Sequence, residues 1–256
     1  MMDLLRSAAM AFSMFSRLPM PRVAWKQENM RYMLGCLPLV GIAVGAAEAL
    51  WWWLCGRFGI GSRLFAAGMT ALPLLLTGGI HMDGFMDTAD ALACHGSVEK
   101  KREILKDSHT GAFAVLWCAL YLLGCFALFA ETEADTELLL PVCLIPVLSR
   151  CGSALAGLVF PVYGGEGLLK TFRDAGSARA LVLPALAYTA VFTVLALCAP
   201  VFAAACFVTE GLCLFCVYRM SQKQFGGMSG DLAGFLLQLS EIALLLVIII
   251  ISEVTV

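Results

Sequence analysis

Long apolar stretches separated by short polar connections set the rhythm of the chain. A helix needs about 20 largely apolar residues to cross a bilayer. Stretches of that kind occupy residues 33–55, 64–80, 111–130, 138–160, 180–199, 201–218 and 232–252. The second is short and carries Pro73, and the fifth and sixth meet at Pro200, where one bent hairpin also satisfies the pattern. The pattern predicts an all-α polytopic transmembrane helix bundle of about seven spans, bounded by six and eight. The whole chain, 1–256, reads as a single integral membrane domain. Its first stretch, 3–19, has Arg6 in its interior and Arg17 near its end, so it reads as an amphipathic helix in an N-terminal interfacial segment, 1–31. A signal-peptide core would be more uniformly apolar.

Basic residues in the connections orient the bundle. Arg6, Arg17, Arg22, Lys26 and Arg31 precede the first span; Lys100, Lys101, Arg102 and Lys106 lie in 81–110. Lys170, Arg173 and Arg179 lie in 161–179, and Arg219 and Lys223 in 219–231. The other side has Arg57 and Arg63, and its connection 131–137 is acidic, with Glu131, Glu133, Asp135 and Glu137. The expectation is a multi-pass protein of the cytoplasmic (inner) membrane, its N-terminus and long polar loops in the cytoplasm. A cytoplasmic active-site loop is expected at 81–110. Polar material gathered on one face suits an enzyme better than a transporter, whose polar groups more often sit mid-membrane in matched halves.

Composition agrees. Hydrophobic residues make up 61% and charged residues 14%, against roughly a quarter charged in a soluble domain; the natural solvent is the lipid bilayer. The net charge of −2 offers no footing for nucleic acid. The cysteines lie mostly in apolar stretches and read as small buried hydrophobes, with no zinc-type spacing beyond the isolated Cys94-His95 pair.

Chemistry concentrates in a few polar motifs. Asp83, Asp87 and Asp90 stand at i, i+4 and i+7, within about 60° of one helical face. Carboxylates so placed repel unless a cation neutralises them, and an all-oxygen set suits Mg²⁺ or Mn²⁺ with substrate phosphates completing the shell. His81 flanks the cluster, and Gly84 would let a phosphate approach the backbone. In Lys106-Asp107-Ser108-His109-Thr110-Gly111, Lys106 and His109 can contact phosphate, and small residues such as Ser108 can open a helix N-terminus onto it; basic residues at a membrane edge are also ordinary. Gln224-Phe225-Gly226-Gly227-Met228-Ser229-Gly230-Asp231 has the form of an anion-binding turn through Gly227 and Ser229, capped by Asp231. Asp231, Gln238 and Glu241 share a face, Glu241 inside the hydrocarbon. Arg150 lies mid-span and needs a partner, Glu48 or Glu241, unless it binds phosphate. The glycine-rich loop from Tyr163 to Arg173 carries Lys170 but no P-loop pattern, and neither a GxSxG elbow nor HExxH occurs.

The order and spacing of these motifs resemble the cobalamin synthase family, the adenosylcobinamide-GDP ribazoletransferases. The matching residues are Phe15-Ser16-Arg17-Leu18-Pro19-Met20-Pro21, Leu37-Pro38-Leu39-Val40-Gly41, Thr77 to Asp90, Lys106 to Gly111 and Gly226 to Asp231, spanning nearly the whole chain. His81-Met82-Asp83-Gly84-Phe85-Met86-Asp87-Thr88-Ala89-Asp90 is the most distinctive part. Ala91, His109 and Gln238 depart from residues the family commonly has there, glycine, arginine and glutamate.

The resemblance implies a Mg²⁺-dependent membrane transferase that joins adenosylcobinamide-GDP to α-ribazole or its 5′-phosphate and releases GMP. On that reading Asp83, Asp87 and Asp90 hold metal on the pyrophosphate. Asp231, or secondarily Asp107, completes the metal shell or acts as base, and Arg150, Lys106 and Lys170 contact phosphate. The sequence admits a homo-oligomer without requiring one. Three rival readings remain: a CDP-alcohol-type phospholipid synthase, whose DGxxARxxN continuation is missing here, a divalent-cation or metabolite transporter, and a non-catalytic scaffold.

Overall fold

The computed structural model describes residues 2–132, 135–163 and 167–255. Glu133 of the acidic connection, and Gly164, Gly165 and Glu166 of the glycine-rich loop, lie outside the described residues. The architecture is helical: α1 Met2–Phe15, α2 Gln27–Met30, α3 Leu37–Phe58, α4 Ser62–Thr77, α5 Ile80–Ala93 and α6 Val98–Ile104 lead into α7 Ala112–Glu131. α8 Thr136–Val159, α9 Leu168–Ala175, α10 Val182–Cys198, α11 Pro200–Met220 and α12 Gly230–Thr255 follow.

Among the described residues, six continuous helical stretches are long and apolar enough to cross a membrane, or seven if the bent pair α4–α5 counts as one span. The expected span at 64–80 is therefore half of a broken element. Gly78 (φ +67°) and Gly79 (φ +76°) take left-handed backbone, and the chain leaves α4 and enters α5 at 96°. Residues 80–93 form one helix, as the i, i+4, i+7 spacing of the aspartates anticipates, and that helix takes up the start of the expected loop 81–110. The fifth and sixth spans are separate helices joined at Ala199, with Pro200 opening α11, where its missing N–H is no loss.

α8 is the central post, with 78% of its span buried, against 22% for α7, 17% for α10 and 28% for α11. Leu123, Leu197 and Phe215 on the peripheral helices are exposed, as a lipid-facing surface requires. α3 approaches α8 through Gly41 and Gly45: a Cβ on Gly41 would stand 2.9 Å from the Cα of Val147. Small residues at such crossings let helices touch where burial against lipid gives little driving force. Inside α8, Arg150 donates from Nη1 to Glu241 of α12 at 2.7 Å and to the Pro146 carbonyl at 3.0 Å. Ser149 adds a bond to the same carboxylate at 3.1 Å. Of the alternatives open for Arg150, the structure displays the ion pair, with Glu241. Every cysteine is free.

Candidate functional site

α5 carries the acidic cluster and crosses α12 tightly. A Cβ on Gly84 would lie 2.7 Å from the carbonyl oxygen of Asp231 and 2.9 Å from its Cα, and one on Gly234 would lie 3.0 Å from the His81 carbonyl. The expectation that Gly84 makes room for a phosphate is corrected: the space it leaves is filled by the backbone of α12. That close crossing sets Asp231 beside the cluster, so Asp87 has Asp83, Asp231 and Asp90 as neighbouring like charges. Asp83 is exposed, and Asp87 and Asp231 are half-buried. On the opposite face of α5, Phe85 packs between Tyr121 and Phe235, its ring stacked on the latter at 5.4 Å.

Asp90 has a task of its own. Its Oδ2 accepts from the Gly111 N–H at 2.6 Å and its Oδ1 from the Ala114 N–H at 2.9 Å. Both oxygens thus cap the start of α7, whose first amides have no partner within the helix. Among the described residues no three His, Cys, Asp or Glu side chains close on one metal position. Asp83, Asp87 and Asp231 are neighbouring carboxylates rather than a closed set of metal ligands.

The turn before α12 differs from the expected anion cradle. The Gly226, Gly227 and Met228 amides donate to the Gln222, Ser221 and Pro161 carbonyls at 3.1, 3.0 and 2.7 Å. Gly227 (φ +149°) is needed because the 161–163 segment presses against it. That packing by itself accounts for a glycine at this position. The helix cap is Ser229, whose Oγ accepts from the Leu232 N–H at 3.2 Å; Asp231 is left to face the acids. α6 fastens the same turn: Lys101 donates to Gln224 Oε1 at 2.6 Å, Arg102 donates to the Phe225 carbonyl at 2.6 Å, and the Arg102 guanidinium lies 4.5 Å from the Tyr163 ring.

Two cavities meet at Asp231. One, of about 250 Å³, is lined by Lys106, Tyr163, Lys170, Ser229 and Asp231, gathering cations from distant motifs onto one acid. The other, of about 260 Å³, is lined by Phe15, Leu34, Leu37, His81, Asp83 and Phe172. His81 is buried, its ring stacked on Phe15 at 5.7 Å and its Nε2 without a hydrogen-bond partner. Ser153 of α8 fixes α12 here by donating to the Ala233 carbonyl at 3.0 Å.

Ser108 and His109 are exposed, and His109 turns to Asp107, Nδ1 to Oδ1 at 2.6 Å, rather than to the acids of α5. That pairing holds the Asp107 carboxyl below the ordinary carboxylate range. Sequence reasoning missed Phe172 and Ser153 as walls of the site. The amphipathic run of 168–175 was the available signal for Phe172; Ser153, one serine in an apolar span, left none. It also passed over Glu210, a buried carboxylate of α11 packed against Gly152. Its signal was a lone acid within an apolar span.

Fold and site together define a polytopic membrane protein that presents carboxylates and cations side by side, the equipment for handling a phosphate-bearing molecule. The chain matches the cobalamin-5-phosphate synthase model, CobS, over residues 7–249. Among curated relatives, proteins named adenosylcobinamide-GDP ribazoletransferase are similar to it. The one from Lachnoclostridium phytofermentans is 33% identical over 250 residues, covering 97% of this chain and 95% of the relative. That of Geobacillus thermodenitrificans is 34% identical over 237 residues, 90% of this chain and 89% of the relative. That of Clostridium perfringens is 30% identical over 234 residues, 91% and 92%. No solved structure matches the chain. The chain belongs to the cobalamin-5-phosphate synthase family.

Proposed function

We propose that this protein is the membrane transferase that joins adenosylcobinamide-GDP to α-ribazole or its 5′-phosphate, releasing GMP. The observation that carries the reading is Asp231, which lines the Lys106–Lys170 cavity and stands among the like charges around Asp87 with Asp83, in a chain of this family. The site is taken to face the cytoplasm, on the basic-residue asymmetry of the loops.

The reaction displaces GMP from the phosphorus bonded to the cobinamide. A ribose hydroxyl oxygen forms the new P–O bond, the bond to the GMP oxygen breaks, and the hydroxyl proton leaves. Catalysis of this type is mostly positioning and charge neutralisation. Lys106 and Lys170 hold the phosphate-bearing part of the nucleotide. Asp231, on the wall shared by the two cavities, accepts the hydroxyl proton. Asp83 and Asp87 would hold Mg²⁺ or Mn²⁺, which when bound supplies neutralisation of the pyrophosphate and of the departing GMP. A second reading makes Asp231 a third metal oxygen, favoured by its place among the charges around Asp87.

The test is GMP release from adenosylcobinamide-GDP by purified protein in lipid, with Mg²⁺ and α-ribazole each supplied or withheld. Release is expected only with both, and Asp83→Asn or Asp87→Asn should abolish it. Turnover without ribazole, or near-normal turnover in either variant, refutes the reading. Asp231→Asn separates the two roles: loss of a base flattens the acid limb of the pH–rate profile, whereas loss of a metal oxygen raises the Mg²⁺ concentration needed.

A further inference from the structure

We infer that the apolar cavity beside Asp231 seats the base of the incoming nucleophile, a fused-ring aromatic heterocycle of benzimidazole type, while the cationic cavity on the other side takes the phosphates. This rests on the reaction proposed above and assigns its two substrates to opposite sides of one residue.

The two cavities share Leu168, Leu169, Gly230 and Asp231 and differ in the rest of their linings. In the cationic one, Lys106 and Lys170 are matched to anions. In the other, Phe15, Leu34, Leu37 and Phe172 make the walls, and the acids Asp83 and Asp231 are its charged lining groups. The Ser153 hydroxyl at its edge is already bonded to Ala233. The reaction offers two aromatic bases for such a space, guanine and the base of the ribazole. Guanine carries donors and acceptors along two edges, and away from the Asp83–Asp231 end the apolar walls leave those edges without partners, which opposes binding. A dimethylbenzimidazole attached to ribose has one ring nitrogen left as acceptor and otherwise presents hydrocarbon, so the same walls favour it.

Size points the same way. About 260 Å³ falls just below the roughly 300–1,000 Å³ of sites for drug-sized ligands, which suits one bicyclic base and excludes a corrin ring. The Phe15–His81 stack, tilted by 16°, gives the cavity a flat aromatic wall. His81 lines the cavity through its ring, while its unpartnered Nε2 is buried away from the open space. A riboside held there has its sugar at the Asp83–Asp231 end, where its hydroxyl must react.

The experiment uses the full-length protein in nanodiscs. Leu34→Phe fills the cavity. The KM for α-ribazole should rise about tenfold or more, while the KM for adenosylcobinamide-GDP stays within about twofold. Calorimetric binding of free α-ribazole, with no nucleotide present, should weaken by the same factor. Phe172→Ala widens the space and should shift preference toward a riboside with a larger naphthimidazole base. A Leu34→Phe protein with unchanged melting temperature and unchanged ribazole KM overturns the assignment, as does a rise confined to the cobinamide nucleotide. If wild-type protein binds ribazole but releases no GMP, the proposed reaction fails while the cavity assignment stands on the binding data. If α-ribazole does not bind, or binds Leu34→Phe and wild type equally, the cavity assignment fails even where GMP is released.

Discussion

Gly84→Ala is the sharpest probe of how the fold delivers the site. The added Cβ would stand 2.7 Å from the Asp231 carbonyl oxygen, where ordinary contact begins at 3.4 Å, so the α5–α12 crossing must open by about 0.7 Å. The atoms it meets are backbone, and no rotamer change relieves them. Overpacking of this kind costs about 1–3 kcal/mol, and up to about 1 kcal/mol returns from the better helix propensity of alanine. The expected net loss is about 1–2 kcal/mol. Activity should suffer more, because opening the crossing draws Asp231 away from Asp83 and Asp87; displacements approaching 1 Å cost on the order of 10²-fold, so a ten- to hundredfold drop in GMP release is expected. The matched control is Gly56→Ala in α3, where a Cβ meets nothing within 4 Å; it should stabilise by about 0.4–1 kcal/mol and leave turnover unchanged. Denaturant unfolding in mixed micelles and initial rates of GMP release measure both. Equal behaviour of the two variants would refute the claim that the crossing positions the site.

Arg150→Met should cost about 3–5 kcal/mol in the same unfolding assay by stranding Glu241 in the bundle, and adding Glu241→Gln should recover most of it; a single variant as stable as wild type would rule the ion pair out as a structural element. Asp90→Ala should lower stability by about 1–2 kcal/mol through loss of the cap on α7, whereas Asp83→Asn should inactivate without destabilising, a split that identical melting curves would contradict. The Asp107–His109 contact depends on an ionised carboxylate whose pKa is depressed, so its contribution is present above the ordinary carboxylate range and lost as pH falls through the lowered value. His109→Gln should raise the Asp107 pKa, read by carboxyl carbon NMR titration, and an unchanged titration would show that the contact is absent in solution.

Much of the architecture could be read from the sequence because a bilayer asks for little beyond length and apolarity. The helical face of Asp83 and Asp87 and the need of Arg150 for a buried acid followed from periodicity and desolvation. The glycines were harder. A glycine beside aspartates leaves the same mark whether it admits a phosphate or another helix, and at Gly84 it admits α12. Asp90 looked like the third member of a metal set because the amides it caps, at Gly111 and Ala114, are distant in sequence. Hydropathy could not show the turn at Gly78-Gly79, since apolarity carries no direction. The approach of Lys106 to Lys170 depends on how 161–163 and 226–228 lie together, a tertiary fact that no local pattern announces.

The broken span also ties the protein to the mechanics of its bilayer. α4 has 16 residues, about 24 Å at 1.5 Å per residue, which falls short of a hydrocarbon layer about 30 Å thick. α5 departs at 96° and adds little to that reach. Were α4 to stand upright, the 96° bend would set the acidic helix along the membrane plane beneath the usual headgroup level, and the lipid around it would have to thin to meet it. Membrane thickness would then bear on how readily a nucleotide reaches the aspartates. A thin bilayer presents them as a shelf, and a thick one as the floor of a well.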